Sequence, residues 1–262
     1  MSQEPKQPSR QLITRGDLFK VFLASFFMQA VWNFRTLISI GFTVCMIPVL
    51  NKLYSTPEEK CDFLKRHLKF FNSHPYFASY ALGVSIRLEE MKVSGEAQTP
   101  ETIDRLKDLL ISPLGAIGDR LFWATIKPAS LITGMVGILL APTITLKFLV
   151  LLIVFLIYNV PHLYFRYKGI LLGYRYGVDV YKYVGQQQFE KLRKTYFIVL
   201  VCSTLLLVFS FGVKLTLISP VLALVFVFAF LYSAFFYRLT RSFYITSFSS
   251  IIFFIVMGLL FF

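Results

Sequence analysis

Acidic residues are scarce: the chain has 14 Asp and Glu against 27 Lys and Arg, and beyond Asp119 only Asp179 and Glu190 remain. Cysteine is almost as rare. Cys45, Cys61 and Cys202 are scattered and odd in number, with no C-x-x-C spacing, which excludes a disulfide framework and a thiolate metal site. His67 and His74 stand seven apart, whereas two metal ligands on one helix face need a spacing of three or four, so a zinc pair is excluded too. There is no P-loop, no G-x-G-x-x-G after a strand and no Ser-His-Asp order, and no acid, base or metal constellation supports an enzyme or a cofactor. A cleavable signal is also missing, because "MSQEPKQPSRQLITRG" is polar and the first apolar stretch begins only at Leu18.

What the chain has in abundance is apolar surface. Of 262 residues 56% are hydrophobic, 29 are Phe, and the mean hydropathy is +0.65, too apolar for an ordinary soluble domain. The bilayer is therefore the expected solvent. A net charge of +13 could suit nucleic acid, but the basic residues flank apolar runs and form no independent soluble face. They read instead as loops held at an anionic leaflet, with anionic lipids as partners and no nucleic acid.

Three apolar blocks follow Lys127. Ala129 to Val160 would be roughly 48 Å as one straight helix, beyond a hydrocarbon core of about 30 Å, and Pro142 in "APT" offers a break. Two short helices in a hairpin are expected, with Lys147 just past the turn. Tyr196 to Gly212 would then exit, Lys214 would mark a short external turn, and Leu215 to Phe236 would return to "YRLTR". Phe243 to Phe262 would exit again. Basic stretches at Lys52 to Lys127 and Arg166 to Lys194 should be cytoplasmic, which puts the N-terminus inside and the C-terminus outside. Leu18 to Leu50 is apolar but holds Gln29, Asn33 and Arg35 near its middle. A charge at membrane depth costs about 2.5 to 3.5 kcal/mol, so Arg35 favours a bent, re-entrant or partner-buried element. The alternative is an amphipathic helix lying at the interface.

The section from Ser55 to Lys127 is polar and punctuated. "STPEEK" opens a helix with Ser55 or Thr56 as its cap and Pro57 in the first position, and "PETIDRLKDLL" opens another from Pro100 to about Leu110. In "GAIGDRLFW", Gly115 and Gly118 would permit a bend, with Asp119 either capping the helix that carries Trp123 or acting functionally at an apolar boundary. Gly169, Gly173 and Gly177, at every fourth position, make a small-residue face suited to close helix packing, beside aromatics that suit an interfacial belt.

The expected fold is an all-α polytopic membrane protein with broken or re-entrant helices, a helical hairpin and about four to six membrane segments. Its parts are a disordered cytosolic tail (1–16), a membrane-associated or re-entrant segment (17–54), a cytoplasm-side helical region (55–128), the hairpin with a Gly/Tyr-rich cytoplasmic segment (129–194) and C-terminal transmembrane helices (195–262).

Taken in order, "WNFRTLISIGFTVCMIPVLNKLY", "LKRHLKFFNSHPYFASYALGVSIRLEE", "ISPLGAIGDRLFWATIKP" and "YNVPHLYFRYKGILLGYRYG" resemble the IID component of the mannose/fructose/sorbose phosphotransferase system. The likeness covers about Phe26 to Gly177. It implies a bacterial inner-membrane subunit that pairs with a IIC subunit as a hetero-oligomer and translocates a hexose-type sugar. Cytoplasmic IIA and IIB proteins would carry the phosphoryl groups on histidines. IID is not itself phosphorylated, so it is no enzyme, and neither His67 nor His74 is expected to carry phosphate. The family's Asn, aromatic, Glu-Arg-Met-Gln pattern is replaced by Asn33, Phe34, Arg35, Thr36, Leu37 and Ile38, and sugar selectivity does not carry over. Under this resemblance Asn33, Asn72, His74, Asp119 and Trp123 are candidates for the sugar path or the IIC contact. Arg35, Gly115, Gly118, Gly169, Gly173 and Gly177 are candidates for subunit or helix packing. The competing expectation is a non-transporting structural or regulatory membrane protein derived from such a subunit.

Overall fold

Helix starts lie where side chains can take the orphaned backbone donors of the first turn. Thr14, Thr56 and Thr99 each accept a backbone N–H three residues on, and Thr14 and Thr56 form reciprocal capping boxes with Asp17 and Glu59. A computed structural model describes residues 12–96, 99–183 and 186–261. Most of the expected tail, residues 1–11, and two positions of the expected 96–100 loop lie outside the described residues.

In chain order the helices are α1 (Arg15–Ala24), α2 (Ser39–Leu53), α3 (Pro57–His67), α4 (Ala78–Val93), α5 (Pro100–Gly118), α6 (Lys127–Leu140), α7 (Ile144–Tyr176), α8 (Val180–Tyr183), α9 (Gln186–Ile218), α10 (Pro220–Thr240) and α11 (Phe243–Phe261). A π-helical segment, Asp119–Ile126, joins α5 to α6, so the chain is helical without a break from Pro100 to Leu140. Among the described residues there is no strand, only two isolated bridges. Five helical runs are long and apolar enough to cross a membrane: Pro100–Leu140, Ile144–Lys182, Phe189–Ile218, Pro220–Thr240 and Phe243–Leu260. The protein is an all-α, multi-pass membrane protein.

The chain forms two units, Met1–Leu131 with Leu151–Leu200, and Ile132–Val150 with Val201–Phe262. In the first, α1 and α2 are a helical pair whose start and finish meet: Lys52 at the end of α2 is 2.6 Å from Asp17 at the start of α1. Burial alone would raise the Asp17 carboxyl, but the Lys52 ammonium and the Thr14 hydrogen bonds outweigh it and hold it at about 2. Gly41 lets α2 press against the backbone that follows α1, since a Cβ there would meet the Met28 carbonyl oxygen at 1.8 Å. Helix α4 is buried along most of its length and forms the centre of this unit. Phe42, Phe63, Phe71, Phe77 and Phe122 are fully buried around it, each contributing about 1.5 to 3 kcal/mol of burial.

In the second unit the break at Ala141 to Thr143 falls where Pro142 predicts it, and Lys214 donates from Nζ to the Leu139 carbonyl at 3.0 Å, satisfying an orphaned acceptor at the end of α6. Three expectations differ from what is observed. Helix α7 is not short, because Pro161 is carried inside it and helix continues through the polar stretch to Tyr176. The turn expected around Lys214 lies instead at Ser219, whose side chain caps α10 ahead of Pro220. Asp119 caps no new helix, because the π segment absorbs the expected bend and keeps the backbone helical; the Thr125 hydroxyl donates to the Arg120 carbonyl five residues back.

Candidate functional site

Two irregular segments of the first unit, 28–38 and 68–77, are stitched together by backbone. Ile38 N–H donates to the Phe71 carbonyl at 3.2 Å, Leu37 bridges Phe71, and the Ser39 hydroxyl donates to the Leu68 carbonyl at 3.1 Å. Asn33 builds the first segment. Its side-chain oxygen accepts from the N–H groups of Arg35 at 3.0 Å and Thr36 at 2.9 Å, and its amide nitrogen donates to the Thr36 hydroxyl at 2.9 Å. Leu37 closes the turn with φ +55°, a conformation that L side chains rarely adopt. Phe34 at the tip is 90% exposed, with the Trp32 ring 4.7 Å away, and Arg35 is exposed beside it.

The second segment carries Asn72, which is exposed, and His74, which is buried. The His74 ring stacks on Phe122 and lies 4.9 Å from Trp123, both on the π segment. Its Nδ1 accepts the Tyr76 N–H at 3.3 Å, while Nε2 is buried without a hydrogen-bond partner. Burial, reinforced by the nearby Arg166 guanidinium, pushes His74 down to about 3, so the ring is neutral at physiological pH. On the far side of Tyr76, His162 stacks at 3.9 Å and the Arg166 guanidinium sits 5.2 Å above the same ring. Arg166 also donates to the Ser25 carbonyl and hydroxyl, fixing the end of α1. Its Nε and His162 Nε2 are likewise buried and unpartnered.

The structure thus brings His74, Gly118 and Trp123 together and joins the Asn33 turn to them through Phe71. Asp119 and Asn72 are exposed nearby in sequence and have no part in that ring cluster. A Cβ on Gly118 would lie 2.3 Å from His74 Cβ and Cγ, whereas one on Gly115 would meet Ser73 at an ordinary 3.8 Å. Gly118→Ala is therefore expected to displace His74 and destabilise the protein by about 1 to 3 kcal/mol, while Gly115→Ala is nearly silent. Thermal midpoints of the two variants in detergent test the contrast.

Gly169 and Gly173 face α4. A Cβ on Gly169 would strike the Ser79 hydroxyl at 2.1 Å, and one on Gly173 the Tyr80 carbonyl at 2.2 Å, with Gly83 approaching the Ile170 carbonyl from the other side. Gly177 ends the helix at φ +49°. No group of three or more His, Cys, Asp or Glu that could hold a metal occurs among the described residues.

Sequence reasoning missed two buried carboxylates. Glu89 accepts from Arg66 Nε at 2.7 Å and Arg66 Nη2 at 3.1 Å, from His67 Nε2 at 2.8 Å and from the Tyr54 hydroxyl at 2.5 Å. Burial alone would raise its carboxyl, but the His67 and Arg66 hydrogen bonds outweigh it and hold it at about 2. Glu90 accepts from the backbone N–H groups of Leu12 at 2.7 Å and Ile13 at 3.0 Å, from Arg87 at 2.8 Å and from the Tyr174 hydroxyl at 2.6 Å. The only sequence signal was the Glu-Glu pair in "IRLEE", which resembles any solvated helix face.

Residues 12–260 match the family model described as PTS system mannose/fructose/sorbose family IID component. The mannose-specific EIID component of Escherichia coli K12 is 35% identical over 185 residues, which are 69% of this chain and 62% of that protein. The sorbose-specific EIID component of Lacticaseibacillus casei is 34% identical, covering 73% of this chain and 67% of its own length. Among solved structures, a chain of the mannose transporter ManYZ in complex with microcin E492 aligns with TM-score 0.59 and 33% identity, over 73% of this chain and 69% of that one. This chain therefore spans about three-fifths of the length of the E. coli relative it matches. Motif order, helical architecture and a match along nearly the whole chain agree, and the protein belongs to the IID components of the mannose/fructose/sorbose phosphotransferase system family.

Proposed function

We propose that the chain pairs with a IIC membrane subunit and with it translocates a hexose-type sugar, which IIA and IIB proteins phosphorylate as it is released. The chain itself transfers no phosphoryl group in this scheme. The observation that carries the proposal is the stitched pair of irregular segments, 28–38 and 68–77, on either side of the apolar helix α2 and the polar α3. Non-helical backbone in a membrane protein is tolerated where protein buries it or where it lines an aqueous path, and the exposed Phe34, Trp32 and Trp123 beside it suit burial against a partner. His74 contributes an unpartnered buried nitrogen next to that backbone. Asn33, Asn72, His74, Asp119 and Trp123 are assigned to the sugar path or the partner contact on these grounds. Five crossings that start inside, with basic residues on the inner loops, give a cytoplasmic N-terminus and an external C-terminus in the bacterial inner membrane, with anionic lipids at the basic loops.

A second function, structural or regulatory without transport, is favoured by one feature. The Asn33 amide is occupied by its own turn, with Thr36 on its nitrogen, so little of it is free for a sugar hydroxyl. Co-purification with a IIC subunit, then sugar phosphorylation in vesicles supplied with IIA and IIB, separates the two. Phosphorylated sugar that depends on this chain supports transport; an assembled but inactive complex supports regulation. Asp119→Asn and His74→Ala are each expected to lower uptake or assembly, and unchanged values for both would remove the site assignment.

A further inference from the structure

Beneath the Gly/Tyr-rich stretch of α7 lies a cavity of about 910 Å³ into which Arg15, Arg87, Lys168 and Arg175 all contribute, with Tyr167 and Leu172 among its walls. We propose that this cleft is a specific site for an anionic phospholipid, its phosphate held among the four cations and its glycerol end against the leucines. This deepens, and rests on, the placement of the basic loops at an anionic leaflet.

Four observations point to a lipid. Among the described residues no carboxylate lines the cleft, and of its four cations Arg87 alone has a carboxylate partner there, the buried Glu90 at 2.8 Å. Arg15 occupies the first position of α1, where the helix dipole disfavours a cation, so its place is not explained by helix stability. The depth fits as well: Ile144 to Phe165 is a run of about 33 Å at 1.5 Å per residue, close to the hydrocarbon thickness, and Lys168 and Arg175 follow within the next turns. Finally, the rim is built for the interface. Phe19 and Leu23 are exposed on α1, and the Tyr167 ring meets Phe19 and Phe22 at 6.2 and 5.3 Å. A phosphate at this height, with apolar wall on one side and charge on the other, has the layout of a lipid headgroup.

The test uses the full chain purified with its membrane partner. Native mass spectrometry would compare retention of phosphatidylglycerol and phosphatidylcholine for the wild type, the double variant Arg15→Gln/Arg175→Gln, the conservative Arg15→Lys/Arg175→Lys and the exposed control Lys65→Gln. Each charge near an anionic surface is worth about fivefold in affinity, so the double Gln variant is expected to lose phosphatidylglycerol by about 30-fold. The Lys variant and the control should retain it, and phosphatidylcholine should be lost from all four. Equal retention of both lipids, or no loss in the double Gln variant, overturns the proposal. Displacement of the lipid by millimolar glycerol phosphate or inorganic phosphate, or protection of Arg15 and Arg175 only by a phosphorylated soluble protein, also overturns it by naming a different occupant. Sugar uptake is not the readout, so lipid retention without transport leaves the site standing while the permease role falls, and transport without retention does the reverse.

Discussion

Glu89→Ala is expected to destabilise the protein by about 3 to 5 kcal/mol, the cost of leaving one partner of a buried ion pair without the other. The carboxylate takes all four of its close contacts from inside the core: two from Arg66, one from His67 and one from Tyr54. Arg66 is only 6% exposed and cannot swing into water when Glu89 is removed. Its backbone carbonyl is held by Lys107, another buried cation, so the loss would spread from α3 and α4 to α5. Burial pushes the His67 imidazole down, against the opposing pull of the Glu89 carboxylate, and the Arg66 guanidinium makes two of the four contacts to that carboxylate. The informative comparison is the triple variant Tyr54→Phe/Arg66→Met/Glu89→Leu. Replacing Tyr54, Arg66 and Glu89 by apolar groups of similar size removes the desolvation penalty of the ion pair along with its attraction, leaves only the His67 donor without its acceptor, and is expected to recover part of the loss. Thermal midpoints of the two proteins in the same detergent decide it, and an Ala variant as stable as the wild type would show that the cluster is not a buried pair in solution.

Gly173→Ala is the second large effect. The added Cβ would lie 2.2 Å from the Tyr80 carbonyl oxygen and 2.9 Å from the Val84 nitrogen, both backbone atoms that no rotamer change can move. Helices α4 and α7 would have to separate, and the damage should reach or exceed the upper end of the roughly 1 to 3 kcal/mol typical of overpacking. The same change at Gly212, where nothing lies within 4 Å, adds a methyl to open space and should be neutral or slightly stabilising through helix propensity. Folded yield after detergent extraction, followed by thermal unfolding, separates the two variants. Equal stability would mean that α4 and α7 do not approach at these glycines.

Local signals carried much of the architecture because they depend on near neighbours. The cap at Thr56, one of the two candidates in "STPEEK", the helix start at Pro100 and the break at Pro142 need only the residues around them, and all three are where the sequence places them. Helix ends drawn from hydropathy were less faithful, since apolar character stops at the membrane surface while hydrogen bonding does not. For that reason α7 and α9 each run well past the apolar stretches that announced them. The small-residue spacing at Gly169 and Gly173 identified a contact face but could not name α4 as its partner. Within the candidate site, His74 and Gly118 stood out in the sequence, yet nothing local joined them to each other. His162 and Arg166 went unrecognised because their surroundings come from α1 and from the turn before α4, far away in the chain. Glu89 and Glu90 were the least legible, because a carboxylate pair in a helix reads as solvated until distant donors cover it.

Glu90 also sets an order of events during synthesis. Leu12 and Ile13 cannot be fixed until residue 90 exists, and the lock is complete only when Tyr174 arrives to share the same carboxylate. More than 80 residues separate that tyrosine from Glu90. Leu12 and Ile13 must therefore wait, uncommitted, while the first of the five membrane runs and most of the second are being made, and they take their final place only once Tyr174 has been added.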